Sequence, residues 1–537
     1  MPAGVTTCAG NKKSLQKPYD YAFALCRPCR TAPWLNALVV TVHYPSLMKT
    51  LQSIKARTGE AFGAPLPAST DAQVDAAAEA AVAAFGDWSA SAGSVRAALL
   101  RGLASALEAD REGLVPLADE ETALGPVRLN GELDRTAFQL RRFADLAERG
   151  EAFKFTDDPA VAGGPPVGHP AMVRVRVPLG PVAMFSASNF PFAFSVLGGD
   201  TASALAAGCP VVIKAHSGHL HLSNRVFGLI QQVLKAQGLP AGLIGMIQGG
   251  GSDVGVRLVQ HPAIAAGAFT GSTRGGAALQ AVANARPRPI PFYGELGSIN
   301  PVVALSGVLA ARGAELATTL AGSISLGCGQ FCTSPGVIVL FKDAASDAFV
   351  AQLQTALGAQ KPHAMLTPAM RSAFDAGVAH MIKAGVTTLL HEAGTLEAPR
   401  PFLAEVSAQE FIHKTALHDE VFGPSSLIVR ADNAAQVLDV LRAVAGSLTV
   451  TIWGADTDNA EARLLVRQAT QIAGRVLFAG VPTGVAVTAA QQHGGPWPSS
   501  TQPMTTSVGD AAMDRFLRPV ALQDAPAWLM QRQGQPC

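Results

Sequence analysis

At residues 172–178 the chain reads MVRVRVP, apolar and charged side chains in turn, which is the two-residue period of a half-exposed strand in need of a neighbour along its edge. Upstream the period changes. Thr70 and Gln73 form a capping box ahead of the Ala-rich run VDAAAEAAVAAF, predicting a helix, and further helical segments extend to about residue 150. GGPPVGHP then breaks the chain before the strand. From GPVAMFSAS onward, short apolar runs (VVIK, LIGMIQG, AGAFTG, VVALSG) alternate with helical stretches such as TASALAAG. Strands that read as unbroken apolar runs are buried on both faces, so this alternation predicts a parallel sheet in an α/β fold. A second α/β stretch covers about 300–480, and the last fifty residues read as loops with one short helix, DAAMDRFL, and a strand-like PVAL.

Length and charge narrow the function classes. A chain of 537 residues exceeds the size at which single cores stop growing, so at least two domains are expected. Lys plus Arg total 41 against 40 Asp plus Glu, which supplies no electrostatic case for nucleic acid or an anionic membrane as partner. Seven cysteines, an odd number in so long a chain, do not form a disulfide framework, and a reducing cytoplasmic setting is expected. The early apolar run ALVVTV is too short to span a bilayer. Residues 1–47 read as an atypical tail. They hold CRPC (Cys26, Cys29) without a second ligand pair, and Met48 opens the regular chain, as it would if translation started there.

Five stretches hold candidate chemistry. GCGQFCTSPG (327–336) sets Cys328 and Cys332 in a turn, where packing, metal ligation, a disulfide and nucleophilic catalysis all remain open. FTGSTRGG (269–276) follows a strand and could bring backbone to a phosphate at a helix N-terminus, or be only a turn. VVIKAHSGHLH puts Lys214 at the carboxyl end of a strand, where open α/β sheets bind ligands, and its histidines read as surface or ligand-side residues rather than a metal site. FYGELGSINP holds Glu295 among glycines and apolar residues, as an ion-pair partner or a base. FSASNFPFAF places Asn189 just after a strand, as a turn residue or an oxyanion donor. Together a cysteine in a turn, a carboxylate, an amide donor and a glycine loop are the parts needed to oxidise an aldehyde through a thioester. A reactive thiol calls for a depressed pKa, which a turn opening onto a helix N-terminus would supply.

With SNFPF, GCPVVIKAH, FTGSTRGG, YGELGS, GQFCTSPG and EVFGP in this order, the chain resembles the aldehyde dehydrogenase superfamily from about residue 58 to 526. SNFPFAFSVLGGDTASALAAGCPVVIKAHSGH, HGGPWPSS and TTSVGDAAMDRFLRPV are most similar to the 2-oxoglutarate semialdehyde (2,5-dioxovalerate) dehydrogenases. The resemblance implies a Rossmann-like NAD(P)-binding domain at 48–298 with an oligomerisation insert near 153–178. It further implies a catalytic domain at 299–486, a C-terminal oligomerisation segment at 487–537, and a homodimer or homotetramer. It implies Cys332 as nucleophile, with Asn189 and the Cys332 N–H holding the oxyanion, hydride passing to the nicotinamide, and Glu295 activating the water that releases the acid. Lys214, Gly271, Ser272, Glu420 and Phe422 would contact the coenzyme, and Phe192 and Phe331 would wall the substrate pocket. Cys328 would be buried packing.

Three departures from the pattern matter. Ser188 stands where a tryptophan is common, and Ser298 replaces a second glycine, which would reshape the cofactor turn. Ser217 takes the place of a glutamate that would repel a 2′-phosphate, so NADP is expected ahead of NAD. Fatty or other aliphatic aldehydes are the alternative substrates. A CoA-acylating dehydrogenase would have little use for Glu295, and a cysteine hydrolase would need a histidine beside Cys332, with His413, His418 and His493 as candidates. A non-catalytic binding protein would not require this set of residues.

Overall fold

A computed structural model describes residues 49–361, 363–395 and 397–530; the 1–47 tail and its CRPC pair lie outside them. The apolar runs form a five-stranded parallel sheet in the spatial order Ile244–Ile247, Val211–Lys214, Val182–Phe185, Ala266–Thr270, Phe292–Glu295. The chain starts in the middle with Val182–Phe185, moves outward to one side, then crosses to the other. That reversal opens a crevice at the carboxyl ends of the strands. Asn189, Lys214, Thr270–Ser272 and Glu295 all end or follow strands of this sheet, so one topological feature gathers residues that lie up to 106 positions apart.

A seven-stranded sheet follows, ordered Thr387–His391, Phe402–Ser407, Ser425–Ala431, Val337–Phe341, Val302–Ala304, Ser447–Trp453, Ala473–Leu477. Its pairs are parallel except the first, which is antiparallel. The helix Ser306–Ser325 carries the chain from Val302–Ala304 to the GCGQFCTSPG turn, which enters the strand Val337–Phe341. Beside the first sheet, the helices Gly93–Ala109 and Pro126–Glu148 pack through fully buried Leu99, Leu103, Leu133 and Leu140. The Thr70–Gln73 capping box forms as read, starting the helix Asp71–Ala90.

MVRVRVP forms the strand Met172–Pro178, but it is not an edge. It is the middle of a three-stranded antiparallel sheet, paired along its length with Leu517–Gln523 and, at Met172–Arg174, with Thr156–Asp158. Its period announced one exposed face correctly, while its partners lie too far away in sequence to be seen from the pattern.

The C-terminal segment is tied down by a buried ion pair: Arg515 Nη2 lies 2.7 Å from Asp200 Oδ1, with the side chains 2% and 9% exposed. Removing one member of such a pair strands the other charge. Arg515→Met is therefore expected to cost about 3–5 kcal/mol, read as a lowered urea midpoint, and Arg515→Met with Asp200→Leu to recover most of it.

Candidate active site

The turn at 327–329 is wound left-handed, with φ of +58° at Gly327, +58° at Cys328 and +67° at Gly329. Glycine is required at 329, because a Cβ there would come within 2.2 Å of the Gly423 backbone. This contact lays the EVFGP loop against the nucleophile turn. Cys328 itself is buried in a hydrophobic cluster, and burial pushes its thiol up to about 12. Cys332 then follows in a second turn. Asn300, fully buried with φ +52°, donates through Nδ2 to the carbonyls of Cys332 at 2.8 Å and Ser334 at 3.0 Å. Its Oδ1 accepts from Thr449 N at 3.2 Å. Ser298 turns its hydroxyl into this network, donating to Asn300 Oδ1 and accepting from Leu448 N, each at 2.8 Å. The serine therefore braces the core beneath the Cys332 turn.

Two groups stand near Cys332 Sγ, His493 and Glu295. His493 Nε2 is 3.5 Å away, and the same nitrogen lies 2.8 Å from Glu295 Oε1. Ser507 donates to Glu295 Oε2. Both His493 and Glu295 are buried. Burial pushes the Glu295 carboxyl up, but His493, Ser507 and the thiol together outweigh it and hold the carboxyl below its ordinary range. Burial first, and then the charge on Glu295, raise the Cys332 thiol well above its usual value. These surroundings oppose the depressed thiol that the turn was expected to supply. No helix starts at this turn, which leads into a strand, so no helix N-terminus is present to favour the thiolate. Cysteine, histidine and carboxylate donors within 4.8 Å of one another are also groups that zinc accepts.

Asn189 is buried, and Nδ2 donates to Gln330 O at 3.0 Å. One of its two amide hydrogens is thereby spent on orientation, leaving the other for a ligand oxygen.

Asn189 and Cys332 help line an inner cavity of about 290 Å³, together with Thr270, Gly271, Ser272, Glu295, Gly297, Glu420 and Phe422. A Cβ at Gly297 would approach Glu420 Oε2 to 2.5 Å, and one at Gly271 would approach Phe269 to 2.8 Å, so both glycines let backbone form the cavity floor. Ser272 caps the helix Thr273–Asn284 by accepting from Gly275 N. The Thr270 hydroxyl is buried with no hydrogen-bond partner among the described residues. Glu420 is open to the cavity yet recessed among protein atoms, and that desolvation pushes its carboxyl to about 7, against a bond from the Ser298 backbone. Lys214 ends its strand half-buried, with no ion pair or side-chain hydrogen bond among the described residues, and burial lowers its pKa. Ser217 is exposed. A phosphate-bearing dinucleotide fits this set: a helix N-terminus, backbone floors, an orphan hydroxyl, a carboxylate and an unpaired cation.

A second, outer cavity of about 550 Å³ is lined by Phe190 and Phe331, the chain neighbours of Asn189 and Cys332, with Arg128 and Arg135. Phe192, expected as a wall, is instead 2% exposed within the helical core, and Phe190 takes that place. Residues 191–194 form a turn, which carries 190 and 192 to different surroundings.

A profile of the Aldehyde dehydrogenase family matches residues 44–518. The chain belongs to the aldehyde dehydrogenase family. This aldehyde dehydrogenase is 43% identical over 485 residues to alpha-ketoglutaric semialdehyde dehydrogenase 2 of Azospirillum brasilense, covering 89% of this chain and 92% of that one. It is 40% identical over 502 residues to alpha-ketoglutaric semialdehyde dehydrogenase of Acinetobacter baylyi, covering 91% and 94%. Its fold matches aldehyde dehydrogenase 21 of Physcomitrella patens, solved with the reaction product succinate, at TM-score 0.75 and 20% identity over 90% of this chain and 96% of that one. The glyceraldehyde-3-phosphate dehydrogenase GapN of Methanocaldococcus jannaschii, solved with NADP, gives TM-score 0.75 at 18% identity over 88% and 98%. The family's coenzyme is NAD or NADP. No helix among the described residues is long and apolar enough to cross a membrane.

His493 belongs to HGGPWPSS, a stretch whose likeness to a subfamily was visible, but it lies 161 positions from Cys332 and nothing in its spacing ties it to the thiol. In this aldehyde dehydrogenase, iodoacetamide labelling of Cys332 without ligands should be slow at pH 7 and accelerate beyond pH 9. Glu295→Gln removes a charge that opposes thiolate formation, so labelling at pH 7 should quicken about tenfold for each pKa unit recovered, measured on the Cys332 peptide by mass spectrometry.

Proposed function

We propose that the protein oxidises 2-oxoglutarate semialdehyde to 2-oxoglutarate, with Cys332 as nucleophile and NADP as the preferred coenzyme. The observation that carries this reading is a dinucleotide-like inner cavity lined by Cys332 and Asn189, next in the chain to Phe331 and Phe190, which line an arginine-bearing outer cavity. The two relatives at 40% identity or more, both named for alpha-ketoglutaric semialdehyde, support the substrate.

The residues then act as follows. An aldehyde entering from the outer cavity meets Sγ, and its thiol proton passes to the Glu295–His493 pair, the acceptors within reach. The carbonyl oxygen becomes an oxyanion held by the free Asn189 amide hydrogen and the Cys332 N–H, where one donor is worth about 2.7–4 kcal/mol of barrier. When bound, the nicotinamide supplies the hydride acceptor that converts the thiohemiacetal to a thioester on Cys332. Glu295, held by Ser507, deprotonates the water that releases the acid. Glu420 would hold the nicotinamide ribose beside Phe422, Gly271 and Ser272 would face the pyrophosphate, and Lys214 with Ser217 would receive the 2′-phosphate.

A cysteine hydrolase is disfavoured by one geometric fact. A relay histidine uses one ring nitrogen for the nucleophile and the other for its carboxylate. Here Sγ and Glu295 Oε1 both face Nε2, and Nδ1 has no partner among the described residues. A cytoplasmic homodimer or homotetramer goes with this reading.

Purified protein with 2-oxoglutarate semialdehyde should raise absorbance at 340 nm faster with NADP than with NAD, and Cys332→Ala should not. Turnover of long-chain aldehydes alone would keep the chemistry and reject the substrate. His493→Gln should lower kcat by about a hundredfold while leaving NADP binding, followed by fluorescence, in place. An unchanged kcat would remove His493 from the proton path.

A further inference from the structure

The outer cavity carries a charge imbalance that the chemistry at Cys332 does not use. On the helix Pro126–Glu148, Arg128, Glu132 and Arg135 fall on one face and line that cavity. Two guanidinium groups therefore face one carboxylate, and that carboxylate is already committed. Glu132 Oε1 accepts from the Phe192 and Ala193 N–H groups at 2.8 and 3.0 Å, fixing the loop that carries Asn189. Its other oxygen lies 3.8 Å from Arg128 Nη2.

The two arginines are held in place differently. Arg128 Nη2 donates to Asn189 O at 2.6 Å, and its head group lies 4.5 Å from the Phe331 ring and 4.9 Å from Phe190. Gly327 makes room for it, since a Cβ there would come within 2.2 Å of Nη1. Arg135 sits over Phe194 at 5.3 Å and Phe190 at 5.9 Å. It has no hydrogen bond among the described residues, and its Nε and Nη2 are shielded from solvent. Ring faces position a cation but accept no strong hydrogen bond, so Arg135 is a desolvated donor set without an acceptor.

We propose that Arg135, with Arg128 beside it, binds the carboxylate at the far end of the substrate. The anion supplies the missing acceptor and balances the two arginines against Glu132 and itself. A 2-oxo acid end would thus face the arginines while the aldehyde end faces Cys332. An uncharged aliphatic aldehyde leaves Arg135 unpartnered. The assignment rests on the semialdehyde reading above and deepens it.

The test compares kcat/KM for 2-oxoglutarate semialdehyde and for pentanal, an uncharged aldehyde of equal length, in wild type, Arg135→Gln and Arg135→Lys. A lost charge-assisted hydrogen bond predicts that Arg135→Gln lowers the semialdehyde-to-pentanal ratio by about tenfold or more, mainly through KM, with Arg135→Lys in between. An unchanged ratio, with the semialdehyde still oxidised by the wild type, would overturn this anchor and leave the functional reading standing. A wild type that oxidises pentanal but no semialdehyde would overturn both. A second measurement needs no variant: 2-oxoglutarate should slow iodoacetamide labelling of Cys332 at about a tenfold lower concentration than pentanamide, which has no carboxylate, and equal protection would also overturn the anchor.

Discussion

The side chain of Asn300 is the joint on which the site depends. It is fully buried in a left-handed backbone position, a conformation that asparagine tolerates better than most residues. Its amide holds the carbonyls of Cys332 and Ser334, and its oxygen holds the neighbouring strand at Thr449. A loop of turns has few ways to satisfy its own polar groups. Here one amide does so, and thereby ties the Cys332 turn to the buried strand Ser447–Trp453. Ser298 and Leu448 extend the same network, so the position of Sγ is set by core packing rather than by the loop alone.

From that joint the molecule is organised in two directions. Toward the five-stranded sheet, strand order creates a crevice, and glycine floors at 271 and 297 with the Ser272-capped helix give it the character of a dinucleotide site. Toward the helix Pro126–Glu148, aromatic rings and arginines make a second chamber. Asn189 and Cys332 stand at the boundary, each followed or preceded by a phenylalanine that belongs to the outer side. Under the proposed reaction, the inner chamber would take the coenzyme and the outer one the substrate.

Electrostatics in the boundary are adverse to a resting thiolate and favourable to a held carboxylate. Glu295 finds Ser507 and His493, while Cys332 finds burial and a negative neighbour. A cation brought into the inner cavity would favour the thiolate and oppose this balance.

The sequence by itself determined the α/β class, the strands that are buried on both faces, the family through six ordered motifs, and Cys332, Glu295 and Asn189 as candidate site residues. These are local signals: periodicity, turn chemistry and short motifs survive without knowledge of the fold. Tertiary structure alone decided that MVRVRVP is a central strand, since its partners come from 156–158 and 517–523. It decided that Phe190 and not Phe192 lines the cavity, that Ser298 braces the core, and that His493 meets Cys332 across 161 residues. It also set the thiol's raised pKa, because desolvation and neighbouring charge are properties of three-dimensional surroundings that no linear spacing encodes.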